Sequence, residues 1–310
     1  MPALGIALAL LVVCAAIGVA LLMRNPQSSG AGALVGGWVM ADDPRRWQNA
    51  QWNLATCICP GHFELLSDDN APIDLGHRPA LRACWYTVGG AGVGGGSAEA
   101  ASNLTSPDKI HKSASKVRYT DASGNARSCN GVVFDIEANS GLPYSDATFE
   151  KINRAIAALR ANGYSSFVAC VEAGSEVPQK SAHGFTHLAI MMYGGNNSYA
   201  GALSEGYYRD KLNRAAARGW ELSQVFLTFQ SFSASFNSGG AGTLETLRRV
   251  MSAHKTIAGV LGWPAYCDPC GSAAVDKVCK QHCIQNTLSA EFAAELPQQD
   301  VPNLLRILAG

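Results

Sequence analysis

Two acids, Asp135 and Glu137, stand two residues apart at the end of an apolar run in SCNGVVFDIEANSG, residues 128–141. In an extended chain, side chains two apart share a face. Gly131, Val133, Asp135 and Glu137 would then line one side of the segment, and Val132, Phe134 and Ile136 the other. Two close carboxyls in a site poor in water do not both ionise easily, so one keeps its proton near neutral pH. That carboxyl is a general acid. The same D-x-E pattern can also cap a helix, pair with an arginine or hold a structural cation. Its place in the fold decides among these roles.

The elements around the pair give that place. Eight β-rich runs recur along the chain: LVGGWVM, LATCIC, ACWYTVGG, GVVFDIE, SSFVACVE, THLAIMMY, SQVFLTFQ and IAGVLGW. Helical pattern falls between them, as in DATFEKINRAIAALRANG, where Phe149, Ile152, Ile156 and Leu159 recur at helical spacing and Gly163 follows as a stop. LSEGYYRDKLNRAAARG and GTLETLRRVMSAHK behave likewise. Strands apolar on both faces and alternating with helices imply parallel pairing under a helical cover. Eight such units in one domain predict an α/β fold, a closed (β/α)8 TIM barrel. The alternative is an open doubly wound sheet. GGAGVGGG, residues 89–96, lacks the amphipathic helix that a dinucleotide-binding turn requires. The interval from Ser97 to Cys129 reads as an irregular surface insertion. In a TIM barrel, chemistry sits at the C-terminal ends of the strands, and Asp135 and Glu137 lie at that end of the fourth run.

Four motifs in chain order resemble those of glycoside hydrolase family 18, which includes chitinases, endo-β-N-acetylglucosaminidases and catalytically silent lectin-like relatives. The family's D-G-x-D-x-D-x-E is similar to residues 130–137, which keep Gly131 and the final Asp135-Ile136-Glu137. Its S-x-G-G resembles Thr87-Val88-Gly89-Gly90, its M-x-Y resembles Met191-Met192-Tyr193, and its eighth-strand tryptophan resembles Trp263. The resemblance covers most of residues 34–266. It implies a substrate-assisted, retaining glycosidase, outside the ordinary two-carboxylate scheme, with no metal or organic cofactor. Glu137 would protonate the glycosidic oxygen, Asp135 would orient the N-acetyl group, and Tyr193 would donate to the acetamido oxygen. Trp263 would floor the sugar, with Met191, Gly89 and Gly90 as further substrate-site positions. Gln230 and Glu172, at equivalent strand ends, are candidates for contacts to sugar hydroxyls. Each supporting residue has a plainer role: Trp263 as core, Tyr193 satisfying a backbone carbonyl, Gly89 and Gly90 as a turn. Asn130 and Val133 replace two acids of the motif, and Gly194 stands where an acid commonly follows M-x-Y. The implied partner is an N-acetylglucosamine-containing oligosaccharide or polysaccharide, cleaved at β-1,4 links. The alternative is a weak or inactive family 18-like glycan-binding or structural surface protein.

The rest of the sequence bounds this reading. The 24 basic and 24 acidic side chains leave no net charge, and no basic run occurs, which argues against a nucleic-acid partner. Pro2 to Met23 carries no charge and is long enough to cross a bilayer, so residues 1–24 are read as a membrane anchor or signal segment. Residues 25–33, NPQSSGAGA, have linker composition. The domain then runs over 34–310, with a Cys-rich segment at 267–283. Cys267, Cys270, Cys279 and Cys283 suit two disulfides in an oxidising compartment, with structural zinc as the rival reading. Asn103-Leu-Thr105 and Asn196-Asn-Ser198 are glycan sequons. Arg24, Arg45 and Arg46 would favour a cytoplasmic side for the domain, whereas the cysteines and sequons place it in the lumen or outside the cell, anchored or secreted.

Overall fold

The computed structural model describes residues 34–40, 57–61, 65–66, 69–79, 81–90, 102–137, 145–172, 175–192, 204–230, 246, 249–254 and 256–263. Within them eight strands close a parallel barrel: β1 (Leu34–Met40), β2 (Cys57–Gly61), β4 (Ala83–Gly89), β7 (Gly131–Ile136), β8 (Ser166–Glu172), β9 (His187–Met191), β10 (Val225–Gln230) and β11 (Gly259–Trp263). They follow one another around the barrel in chain order, and β11 pairs with β1 to close it. Every one of the eight falls on one of the β-rich runs, because a strand buried on both faces leaves an uninterrupted apolar signal.

Alternation along the strands makes two separate cores. Val132, Phe134 and Ile136 of β7 belong to the outer layer, with Tyr86 and Val88 of β4 and Phe167, Ala169 and Val171 of β8. Val133 points the other way, into an interior shared with Trp38, Cys57, Cys59, Trp85, Val168, Cys170, Ala189, Met191, Phe226 and Leu261. Near the strand N-termini this interior is plugged by rings. His187 packs 5.5 Å from Phe226 and 6.2 Å from Trp85, measured between ring centroids, and its Nδ1 lies 2.9 Å from Thr186 Oγ1. The Trp85 indole donates to Ser166 Oγ at 2.8 Å. Burial, with a smaller contribution from the Lys180 charge, lowers the His187 pKa to about 4.

Helices cover the outside. Besides α1 (Pro107–Ala114), the main ones are α2 (Asp146–Ala161) and α3 (Glu205–Ala217). The Ser145 hydroxyl caps α2 by accepting from the Thr148 amide at 3.3 Å, and Gly163 follows the helix at φ +89°. Its buried stripe of Phe149, Ile152, Ile156 and Leu159 joins the outer core. Ser204 caps α3 in the same way, accepting from Tyr207 N at 3.2 Å. Residues 249–253 are helical as well.

Several expectations are corrected here. The part of the Ser97–Cys129 interval that is described, residues 102–129, is regular rather than irregular: it holds α1 and the strands β5 (Val117–Thr120) and β6 (Ala126–Ser128), and the two strands form a three-stranded sheet with β3 (Ile73–His77) in the order β3-β5-β6. Strands of three to five residues are too short to show a period. Among the described residues no helix is long and apolar enough to cross a membrane. The longest helix among the described residues, α2, has 16 residues and exposes charged side chains, where a span needs about 20 apolar ones. The fold of the described residues is the closed parallel barrel, with no membrane-crossing helix before it among them. The membrane partner, and the luminal or extracellular placement tied to an anchored or secreted chain, are withdrawn with the anchor. Residues 1–24, on which that anchor was placed, and the 25–33 linker lie outside the described residues. So do Cys267, Cys270, Cys279 and Cys283. The disulfide seen among the described residues joins Cys84 of β4 to Cys129, just before β7, with Cα atoms 4.5 Å apart. Asn103 is buried, 2 % exposed, so the folded chain cannot present it to a glycosylating enzyme. Asn196 lies outside the described residues.

Candidate active site

The fourth barrel strand carries Asp135 on its inward face next to its end, with Glu137 immediately beyond it. The backbone of Asp135 is held from the β4 side. Gly90 donates its N–H to the Asp135 carbonyl oxygen at 2.9 Å, directly after Gly89 takes φ +92°. A Cβ on Gly89 would collide with that same oxygen and with the Leu104 side chain. Gly89 and Gly90 therefore act here by letting one backbone approach another, which only glycine allows at positive φ. The S-x-G-G-like turn thus meets the D-x-E strand through the main chain.

On the β8 side, Asp135 is in register with Cys170, which sets the Cys170 thiol beside the Asp135 carboxyl. Glu172, one pleat further along β8, is in register with Met191 of β9 and accepts from Ser175 Oγ at 3.3 Å. Asp135 as a whole is half-buried, but its Oδ1 is fully buried and has no hydrogen-bond partner among the described residues. Burial first, and then the Glu137 charge, push the Asp135 carboxyl well above the usual carboxylate range, with Glu172 adding to the rise. The neighbouring Cys170 thiol works in the opposite direction, because donation to the carboxyl favours its ionised form. Burial, followed by the charges of Asp135 and Glu137, pushes the Cys170 thiol upward, so it keeps its hydrogen.

The sequence-based candidates are distributed as follows. Asp135, Glu137 and Glu172 gather at the C-terminal ends of β7 and β8, with Met191 buried at the end of the neighbouring β9. Gln230 and Trp263 end β10 and β11 in mutual register, but their side chains lie outside the described set. Tyr193 lies outside the described residues altogether. Cys170 and Trp38 Nε1 had no part in the sequence reading, and Thr87 entered it only as a position of the S-x-G-G-like motif. Thr87 is in register with Val133, and its Oγ1, like the Trp38 indole nitrogen, is buried without a hydrogen-bond partner among the described residues. Inward-facing polar residues on barrel strands were the available signal. Among the described residues no cluster of His, Cys, Asp and Glu could hold a metal ion.

No family model matches the sequence, and no curated protein matches it. Solved structures do match the fold. A GH18 chitinase from the chitin utilization locus of Flavobacterium johnsoniae superposes with a TM-score of 0.53 at 14% identity, over 81% of this chain and 94% of that one. A GH18 chitinase from Pseudoalteromonas aurantia superposes with a TM-score of 0.50 at 11% identity, over 74% of this chain and 93% of that one. At such identities the shared property is the barrel, and in fold this chain is family 18 chitinase-like.

Proposed function

We propose that this chain, built on the barrel of the family 18 chitinases, is a glycoside hydrolase that cleaves β-1,4-linked N-acetylglucosamine by substrate-assisted catalysis with retention. The observation that supports this best is the Asp135 carboxyl: inward-facing, proton-retaining, its Oδ1 without a partner among the described residues, and one pleat below Glu137. An acetamido N–H donating to that oxygen would favour the ionised form of Asp135 and leave the shared proton to Glu137. Glu137 then protonates the glycosidic oxygen as the C–O bond breaks. The acetamido carbonyl oxygen attacks the anomeric carbon, and ionised Asp135 offsets the positive charge on the resulting ring. Water, deprotonated by Glu137, opens that ring, restores the acetamide and completes hydrolysis. Tyr193 is assigned to the acetamido oxygen, Trp263 to the sugar face, and Met191 to the wall beside them. Glu172 and Gln230 are assigned to sugar hydroxyls.

One feature favours a second reading, a glycan-binding protein without turnover: apolar Val133 occupies the interior where the family motif carries an acid. The deciding experiment is release of fluorophore from an N-acetyl-chitooligosaccharide by wild type and Glu137→Gln. Loss of general acid catalysis is worth about 10²–10⁴-fold. Equal release by the two proteins would refute the catalytic assignment. Saturable binding of the oligosaccharide with no turnover by wild type would select the binding protein.

A further inference from the structure

We propose that Cys170 is a positioning residue for Asp135: its thiol donates to the Asp135 carboxylate and so takes over, from the neighbouring strand, part of the work an acid at position 133 would do. The geometry points to this in three steps. Asp135 and Cys170 are register partners on adjacent parallel strands, so their inward side chains stand next to each other in one layer. Val133, one pleat below Asp135 on the same face, is wholly buried and can donate or accept nothing. Cys170 is 1% exposed, shares the interior with Val133 and keeps its hydrogen, so the register sets a protonated thiol beside the carboxyl.

This role rests on the hydrolase reading for its consequence in catalysis, but not for its geometry. A proton shared between Asp135 and Glu137 must sit on Glu137 when the glycosidic oxygen is protonated. A thiol donating to Asp135 stabilises the ionised carboxylate and biases the proton in that direction. The titratable groups acting on Asp135 are Glu137 from its own strand end, Glu172 and Cys170 from β8; Cys59 of β2 acts in turn on Cys170. All but Cys170 remain in the variants below, so a change can be traced to the thiol.

Cys170→Ala should lower kcat/KM by about tenfold, the net worth of one hydrogen bond, mostly through kcat. It should also move the acid limb of the pH–rate profile upward by about one pH unit, because Asp135 then holds its proton more tightly. Cys170→Ser keeps a donor and should return both quantities most of the way to wild type. A stable Cys170→Ala enzyme with an unmoved acid limb would overturn the proposal. A second measurement needs no turnover. The S–H stretching band of Cys170, identified in the infrared spectrum by its loss in Cys170→Ala, should shift to higher frequency in Asp135→Leu and partway in Asp135→Asn. A band at one frequency in wild type and both Asp135 variants would overturn the proposal even in a protein that hydrolyses the sugar. The expected shift in a protein with no turnover would support the positioning contact while refuting the hydrolase reading.

Discussion

Asp135→Asn should turn a shallow pH dependence of stability between pH 4 and 6.5 into a steady rise with pH. In the folded chain, burial and the Glu137 charge hold the Asp135 proton well above the usual range, whereas in the unfolded chain it leaves near pH 3.9. Above that pH, unfolding releases a proton, so stability falls by up to about 1.4 kcal/mol per pH unit until the folded carboxyl itself ionises. His187 acts in the opposite sense. Its folded pKa is about 4 and its unfolded value about 6.5, so unfolding takes up a proton within that window and stability rises with pH. The His187 contribution amounts to about 3 kcal/mol across the window, a nearly full value because the ring is enclosed by Trp85 and Phe226. In wild type the two slopes oppose each other and the profile is shallow. With Asn at 135 the opposing slope is gone, and stability should climb from pH 4 to 6.5 by about 3 kcal/mol through His187, with the burial-lowered His183 adding in the same sense. Urea unfolding at closely spaced pH values reads this directly, since the near-isosteric change leaves the denaturant slope unaltered. Identical pH slopes in wild type and Asp135→Asn would refute the claim that this carboxyl keeps its proton in the fold.

The disulfide joins residues 45 apart in sequence, and in the chain-entropy account its removal by Cys84→Ala with Cys129→Ala should cost about 4 kcal/mol in chemical denaturation. Gly89→Ala should destabilise by about 1–3 kcal/mol, because its φ of +92° and the oncoming Asp135 carbonyl leave no room for a Cβ. The same variant should depress hydrolysis further than its stability loss explains, as judged by activity measured well below its Tm. Glu137→Gln, by contrast, should leave Tm within a few degrees of wild type while fluorophore release is lost.

Much of the architecture could be read from local pattern. The runs around β1, β2, β4, β7, β8, β9, β10 and β11 were all visible, because burial on both faces forces consecutive apolar residues whatever the partner strand. Gly163 and the periodicity of Phe149, Ile152, Ile156 and Leu159 marked α2 within two residues of its end. The expected membrane-crossing helix has no counterpart among the described residues, and the β3-β5-β6 sheet escaped notice because its strands are too short to carry a period.

For the candidate site, the order of residues along the chain settles which types stand on one face of one strand: Asp135 beneath Glu137, with Val133 below both, follows from the two-residue repeat of an extended chain. It does not settle what stands beside them. Cys170 lies 35 positions further on and meets Asp135 only because β7 and β8 pair in that register; a slip of one residue would turn the thiol to the outer layer. The same holds for Cys84 with Cys129, and for Asn103, an acceptor in pattern but sealed in the fold. Proton affinity is decided at this level too, since burial and the charge of Glu137, not the identity of an aspartate, are what raise Asp135.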